Sequence, residues 1–215
     1  AGGVPNWGPG FLPSRHQGVA FHTKGAPVTD LFPPKEFGPQ SQKDTLEFLE
    51  TMNREHAQRF PGNSDLAARI AAYELAAKLQ TSIPEVSDFS KETPATAKLY
   101  GLDDHICGPF ARNCLLARRL IERDVRFVQL YQGGSAMKPR VNWDAHEDIV
   151  KNHGREAAIM DRPVAGLIKD LKQRGLLEDT LFVWTTEFGR TPFSQGNTPG
   201  RDHNQLGFTV FMAGA

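Results

Sequence analysis

The sequence is poor in the features that mark the readily recognised protein classes. It has two cysteines in 215 residues, too few for the disulfide framework of a small secreted domain. Cys107 and Cys114 also lack the two-residue gap of a metal knuckle, so both read as plain thiols, Cys114 as a small core residue. Net charge is missing as well: 25 lysines and arginines offset 25 aspartates and glutamates. No aromatic residues interleave with a basic run, and nothing argues for nucleic acid. No apolar run approaches the roughly 20 residues needed to span a bilayer, and the opening "AGGVPNWGPGF" has neither the basic nor the apolar region of an export signal. What length allows is one domain with a real core.

What is present falls into three stretches of one partial domain. Residues 1–40 hold many of the 15 prolines and 20 glycines, yet Trp7, Phe11, Phe21, Leu31 and Phe32 supply apolar anchors, so they read as an irregular, ordered arm. Residues 41–105 read as a helical insertion and loop. Leu46, Leu49 and Met52 predict a helix from Ser41 to about Phe60, stopped by Pro61-Gly62, and Ser64 as N-cap starts a second helix to about Gln80. The 23 residues after Thr81, "SIPEVSDFSKETPATAKLYGLDD", read as loop. Residues 106–215 read as the α/β core portion. "GPFARNCLLARRLIERD" is an amphipathic helix whose charged face, Arg112, Arg118, Arg119, Glu122 and Arg123, is expected to be solvated surface. "VRFVQLY" (Val125 to Tyr131) is strand-like. A long helix from about His146 to about Arg174 follows, which Pro163, with Asp161 as a new cap, should kink or restart. "TLFVWTT" and "FTVFMAG" complete the set. This order predicts a βαβ crossover in a mainly parallel sheet flanked by helices, with ligands beyond the carboxyl ends of the strands. The first residues read as loop and the last stop just after a strand, so the chain is expected to be a piece of a longer one.

Three polar motifs stand near those strand ends: "WDAH" (Trp143 to His146), "TTEFGR" (Thr185 to Arg190) and "GRDHN" (Gly200 to Asn204). Asp144, His146, Glu187, Asp202 and His203 are the hard oxygen and imidazole donors that suit a divalent ion: zinc, calcium, magnesium or manganese. Asp144, His146, Glu187 and His203 are the candidate metal ligands. A cation there, or two about 4 Å apart, would make a nucleophile from water and clamp a tetrahedral anion. Arg190 and Arg201 would share the anion's charge, because guanidinium matches phosphate or sulfate oxygens two at a time. Each motif alone has a plainer explanation. Asp144 could cap the long helix, Glu187 and Arg190 could pair across a turn, and Thr185 and Thr186 read as structural hydroxyls, so no convincing nucleophile is visible. His16, His22, His56, His105 and His153 show no convergence and are given no role.

The stretches "CLLARRLIERDVRFVQLY", "NWDAHEDI", "LFVWTTEFGRTPFSQGN" and "GRDHNQLGFTVFMAGA", with the early "NWGPGFLPSRHQGVAF", resemble the bacterial family of domain of unknown function 1501, a sulfatase-like group. The resemblance covers nearly the whole chain. It implies an alkaline-phosphatase-like α/β fold with a helical hairpin insertion, a site for one or two metals, and a location in the periplasm or cell envelope. Where that superfamily has an Asp-His-Gly signature at a strand end, this chain reads Glu187-Phe188-Gly189, keeping the carboxylate and losing the imidazole. By resemblance, the family's nucleophile region would precede this chain and a final histidine-containing segment would follow it. The function so implied is metal-dependent hydrolysis of a sulfate or phosphate ester, on a small molecule or a glycan. The alternative is a non-catalytic relative binding an anionic glycan or a cell-envelope partner.

Overall fold

A computed structural model describes residues 8, 10–12, 16, 18–22, 27–28, 36–133 and 141–215. Most of the expected arm, residues 1–40, lies outside them. The chain divides into two compact units, Gly2–Phe89 and Ser90–Ala215.

The first unit is a pair of helices. Helix α1 (Pro39–Arg59) opens on a proline, whose fixed φ suits the first turn, and carries Lys43 to Glu47 and Glu50 to Arg54 ion pairs one turn apart. None of its residues is buried. Helix α2 (Ser64–Ser87) is capped not by Ser64 but by Asn63, whose side chain accepts from the Leu66 amide at 3.0 Å. It also runs past Gln80 and through Pro84. Lacking an amide hydrogen, Pro84 leaves out one rung of the ladder, to the carbonyl four residues before it, and the helix ends one turn later.

The second unit is built on three helices: α3 (Pro94–Tyr100), α4 (Gly108–Ile121) and α5 (Ile149–Gln173). The sequence reading placed α3 in a loop, yet its start signal is complete: Thr93 caps the Thr96 amide at 3.1 Å and Pro94 follows. The helix ends at Gly101, where φ is +81°. Asp148 caps α5, accepting from Lys151 N at 3.0 Å, and the helix continues through Pro163 without restarting at Asp161. At Gly166 an added Cβ would lie 3.0 Å from the Leu99 carbonyl oxygen, so α5 packs closely on the α3 backbone and a larger residue there would push the two apart by a few tenths of an ångström. Tyr100, Ala111, Cys114, Leu115, Leu167 and Leu171 form the core among these helices. Burial pushes the Cys114 thiol up to about 12.

The charged face expected of α4 is not all solvated. Arg118 and Arg119 are buried, because carboxylates from three other turns reach them. Arg118 meets Glu92 and Glu122 at 2.7 Å each and Asp170 at 3.1 Å, while Arg119 meets Glu92 at 2.9 Å. The Tyr100 hydroxyl donates to Asp170 at 2.9 Å, and burial, then the Asp170 charge, raises its pKa well above the ordinary phenol value. Arg174 closes the set, reaching Asp170 at 2.7 Å and Glu122 at 2.8 Å. Three guanidinium groups thus meet three carboxylates, which is how buried charge is tolerated.

The mainly parallel sheet, and with it the alkaline-phosphatase-like fold, is not what the chain forms. The helix-rich structure has two small sheets among the described residues, each of two antiparallel strands. Strand β1 (Phe182–Thr185) pairs with β4 (Val210–Ala213), in the register Phe182 to Ala213 through Thr185 to Val210. Between them, β2 (Gly189–Arg190) pairs with β3 (His203–Asn204). Val125 to Tyr131, expected as the first strand of a crossover, makes no ladder among the described residues. The Val125 amide instead closes the end of α4 on the Leu120 carbonyl at 3.2 Å, and Phe127 stays 81 % exposed. Without that strand, the long helix has no parallel partner to deliver, and the chain after β1 turns back on itself, which yields antiparallel pairing.

Candidate metal centre

The β2–β3 ribbon and the segment leading into α5 come together through backbone contacts. The Arg201 amide donates to the Ala145 carbonyl at 2.9 Å and the Ile149 amide to the Pro199 carbonyl at 3.4 Å, while the Thr191 amide, bonded to the Asp202 carbonyl at 3.0 Å, extends the ribbon itself. Gly200 makes the approach possible, because a Cβ there would lie 1.8 Å from the His146 carbonyl oxygen. Any side chain at position 200 would therefore push the ribbon off the segment that carries Asp144 and His146.

Within this junction three ligand-type atoms converge. Asp144 Oδ1 lies 2.8 Å from His146 Nε2 and 2.8 Å from His203 Nε2, and the two Nε2 atoms are 3.1 Å apart. Ligands about 2.0–2.2 Å from a divalent ion sit roughly 3 Å from one another, so these spacings fit the edges of one coordination shell. The donor types, one carboxylate oxygen and two imidazole nitrogens, suit zinc or another divalent transition ion. His146 is three-quarters covered, whereas Asp144 and His203 are half-open, with side chains 44 % and 42 % exposed. The cluster thus has a dry side and a wet side.

Neighbouring groups fix each side chain of the cluster. Arg190 donates from Nη2 to Asp144 Oδ1 at 2.7 Å and from Nη1 to the Arg201 carbonyl at 3.1 Å. Burial pushes the Asp144 carboxyl up, but hydrogen bonds from Arg190 and His203 and the charges of His146 and Arg190 outweigh it, holding the group down at about 2 from 3.8. His146 Nδ1 meets Gln195 Oε1 at 2.7 Å. The Phe188 ring packs on the His203 imidazole, centroids 4.1 Å apart and planes tilted by 31°.

Of the residues singled out from sequence, Asp144, His146 and His203 are brought together, and Asp148, not Asp144, caps α5. Arg190 joins the cluster through Asp144 instead of pairing with Glu187. Glu187 is exposed and lies outside the converging group. Arg201 contributes its backbone on both sides of the junction, with a half-buried side chain. Asp202 accepts from the His203 amide at 2.8 Å. Thr186 Oγ1 donates to the Phe188 carbonyl at 2.9 Å and Thr185 Oγ1 to the Thr186 carbonyl at 3.0 Å, so both hydroxyls brace the turn after β1. Sequence reasoning missed Gln195, and it took Phe188 only as a missing imidazole. The phenyl ring instead covers the imidazole that His203 supplies from the paired strand.

Residues 1–215 match the family described as "Protein of unknown function (DUF1501)". The chain belongs to that family. No curated protein and no solved structure matches it. In this family member the "WDAH" and "GRDHN" motifs therefore stand as the two halves of one cluster, with the Arg190 of "TEFGR" as the link between them.

Proposed function

We propose that the chain binds a divalent metal ion through Asp144, His146 and His203 and serves in the hydrolysis of a sulfate or phosphate ester, as a sulfatase-like activity. The single observation that carries this reading is the mutual spacing of the three ligand atoms, 2.8, 2.8 and 3.1 Å. A bound divalent ion supplies Lewis acidity and an activated water. The chain's residues do the rest. Arg190 keeps Asp144 ionised and aimed at the cluster. His146 and His203 present imidazole nitrogens from two segments, and the half-open side of Asp144 and His203 leaves a substrate room to approach. Arg190 places positive charge beside Asp144, which favours a tetrahedral anion over a neutral ester, and Arg201 is the second guanidinium proposed for that anion. Glu187, on the turn entering β2, stays available as an outer carboxylate.

A second reading, a non-catalytic protein that holds an anionic glycan or a cell-envelope partner, is favoured by one observation: the hydroxyls of Thr185 and Thr186 are taken up by backbone carbonyls. The test is to measure metal content of the purified protein and its hydrolysis of aryl phosphate and aryl sulfate after loading with zinc, manganese or calcium. The hydrolase reading expects about one ion per chain and an activity that His146→Ala and His203→Ala abolish. Metal uptake with no ester cleavage leaves the binding reading. No stoichiometric metal in any condition rejects the hydrolase reading, which needs the ion.

A further inference from the structure

The two imidazoles of the cluster are held in different ways. His203 is covered on one face by Phe188, and its recorded hydrogen bonds are all through Nε2. His146 is gripped at its other nitrogen, by Gln195 Oε1 at 2.7 Å from Nδ1. An amide oxygen only accepts, so the proton of that contact belongs to Nδ1, and a neutral ring then carries its free lone pair on Nε2, the atom facing Asp144 and His203.

The loop that carries Gln195 is itself closed onto the His146 backbone. The Gln195 amide donates to the Gly200 carbonyl at 2.9 Å, and the Thr198 amide donates to the Gln195 carbonyl at 3.2 Å. Thr198 Oγ1 lies 3.0 Å from the carbonyl oxygens of both His146 and Gln195. With no Cβ at Gly200, the loop sits directly on the peptide that follows His146. The same loop therefore holds His146 at its backbone and at the far side of its ring.

We infer that Gln195 is a positioning residue that sets the His146 tautomer, leaving Nε2 bare to receive a cation. The inference rests on the metal reading, because a bare Nε2 lies 2.8 Å from the Asp144 carboxylate oxygen and a cation between them keeps the two lone pairs from opposing each other. An amide, unlike a carboxylate, adds no charge to the imidazole, so the site is tuned for an ion held less tightly than a carboxylate partner would hold it.

The test uses the full chain, nitrogen-labelled and stripped of metal, with long-range proton–nitrogen spectra reading which ring nitrogen of His146 carries the proton. Zinc affinity is measured beside it by competition with a chelator. The wild type is expected to show protonated Nδ1. Gln195→Met should give a mixture of tautomers and zinc binding weakened about 10–100-fold. Gln195→Glu should restore the single tautomer and bind zinc at least as tightly as the wild type. A wild-type Nδ1 that carries no proton, or a Gln195→Met variant that keeps both its proton placement and its zinc affinity, overturns the assignment. A wild type that takes up no zinc removes the metal reading instead, and the spectra then decide the role of Gln195 on their own.

Discussion

Two clusters of charged and polar side chains lie in the same unit and are built on opposite terms. Around Arg118, three guanidinium groups and three carboxylates interlock, with Arg118 and Asp170 side chains 4 % and 6 % exposed. Each charge there has a partner of the other sign. Around Asp144, one carboxylate and one guanidinium meet two imidazoles whose Nε2 atoms face each other at 3.1 Å, on a half-open surface. Two nitrogens at that separation hold each other only through a shared proton or a shared cation. The first cluster pairs every charge and belongs to the fold, whereas the second offers three donor atoms that a cation could share. Buried charge by itself thus says little about function. Crowded lone pairs near solvent say more.

The largest effect that separates the two clusters is expected from Arg118→Met. It leaves Glu92, Glu122 and Asp170 without their shared cation in a buried setting, so urea unfolding should record a loss of about 3–5 kcal/mol. Stability unchanged by this substitution would mean that the interlocked set contributes nothing. Next comes zinc, which should stabilise the wild type by about 2.7 kcal/mol at a concentration 100 times its dissociation constant. Thermal melts with and without chelator measure this, and His203→Ala should abolish the gain while Arg118→Met keeps it. Gly200→Ala should destabilise the junction by about 1–3 kcal/mol, since the added methyl meets the His146 carbonyl, and should weaken zinc binding as well. Asp144→Asn in the metal-free protein should cost the least, no more than about 1 kcal/mol for a half-open ion pair. It should nevertheless lower zinc affinity by more than the roughly 10–100-fold of an outer-shell loss.

pH separates the clusters in a further way. Tyr100 has its folded pKa raised, first by burial and then by Asp170, so the neutral phenol is the form the fold prefers. Its stabilising contribution is complete below the ordinary phenol value of about 10 and is lost as pH rises above it. Unfolding midpoints measured from pH 8 to 11 should fall at the alkaline end, and Tyr100→Phe should flatten that fall.

Asp144, His146 and His203 were legible as candidate donors because they sit in compact motifs of recognisable chemistry. The same donor chemistry also picked Glu187, which is exposed and lies outside the converging group. Gln195 was not legible, since its role depends on a loop closing through Gly200 onto a segment 49 residues earlier. Arg118 and Arg119 read as surface for the same kind of reason: Glu92, which draws them inward, is 26 and 27 positions away. Helices α1, α4 and α5 followed from periodicity and stop signals. The sheet did not, because β-branched and aromatic content marks a stretch as extended without naming its partner or direction. Val125 to Tyr131 has that content but joins no strand ladder among the described residues, and Phe127 is turned to solvent.

Trp143 precedes Asp144 directly, its indole nitrogen donates to Gln132 and its ring lies 5.1 Å from that of His153. The side chain that follows it is the one a cation would pull on, so the indole sits where a small shift of the cluster changes its surroundings. If a cation binds at Asp144, Trp143 is the one of the chain's three tryptophans that stands next to it in sequence, and a shift in its emission would report binding without a label or a substrate.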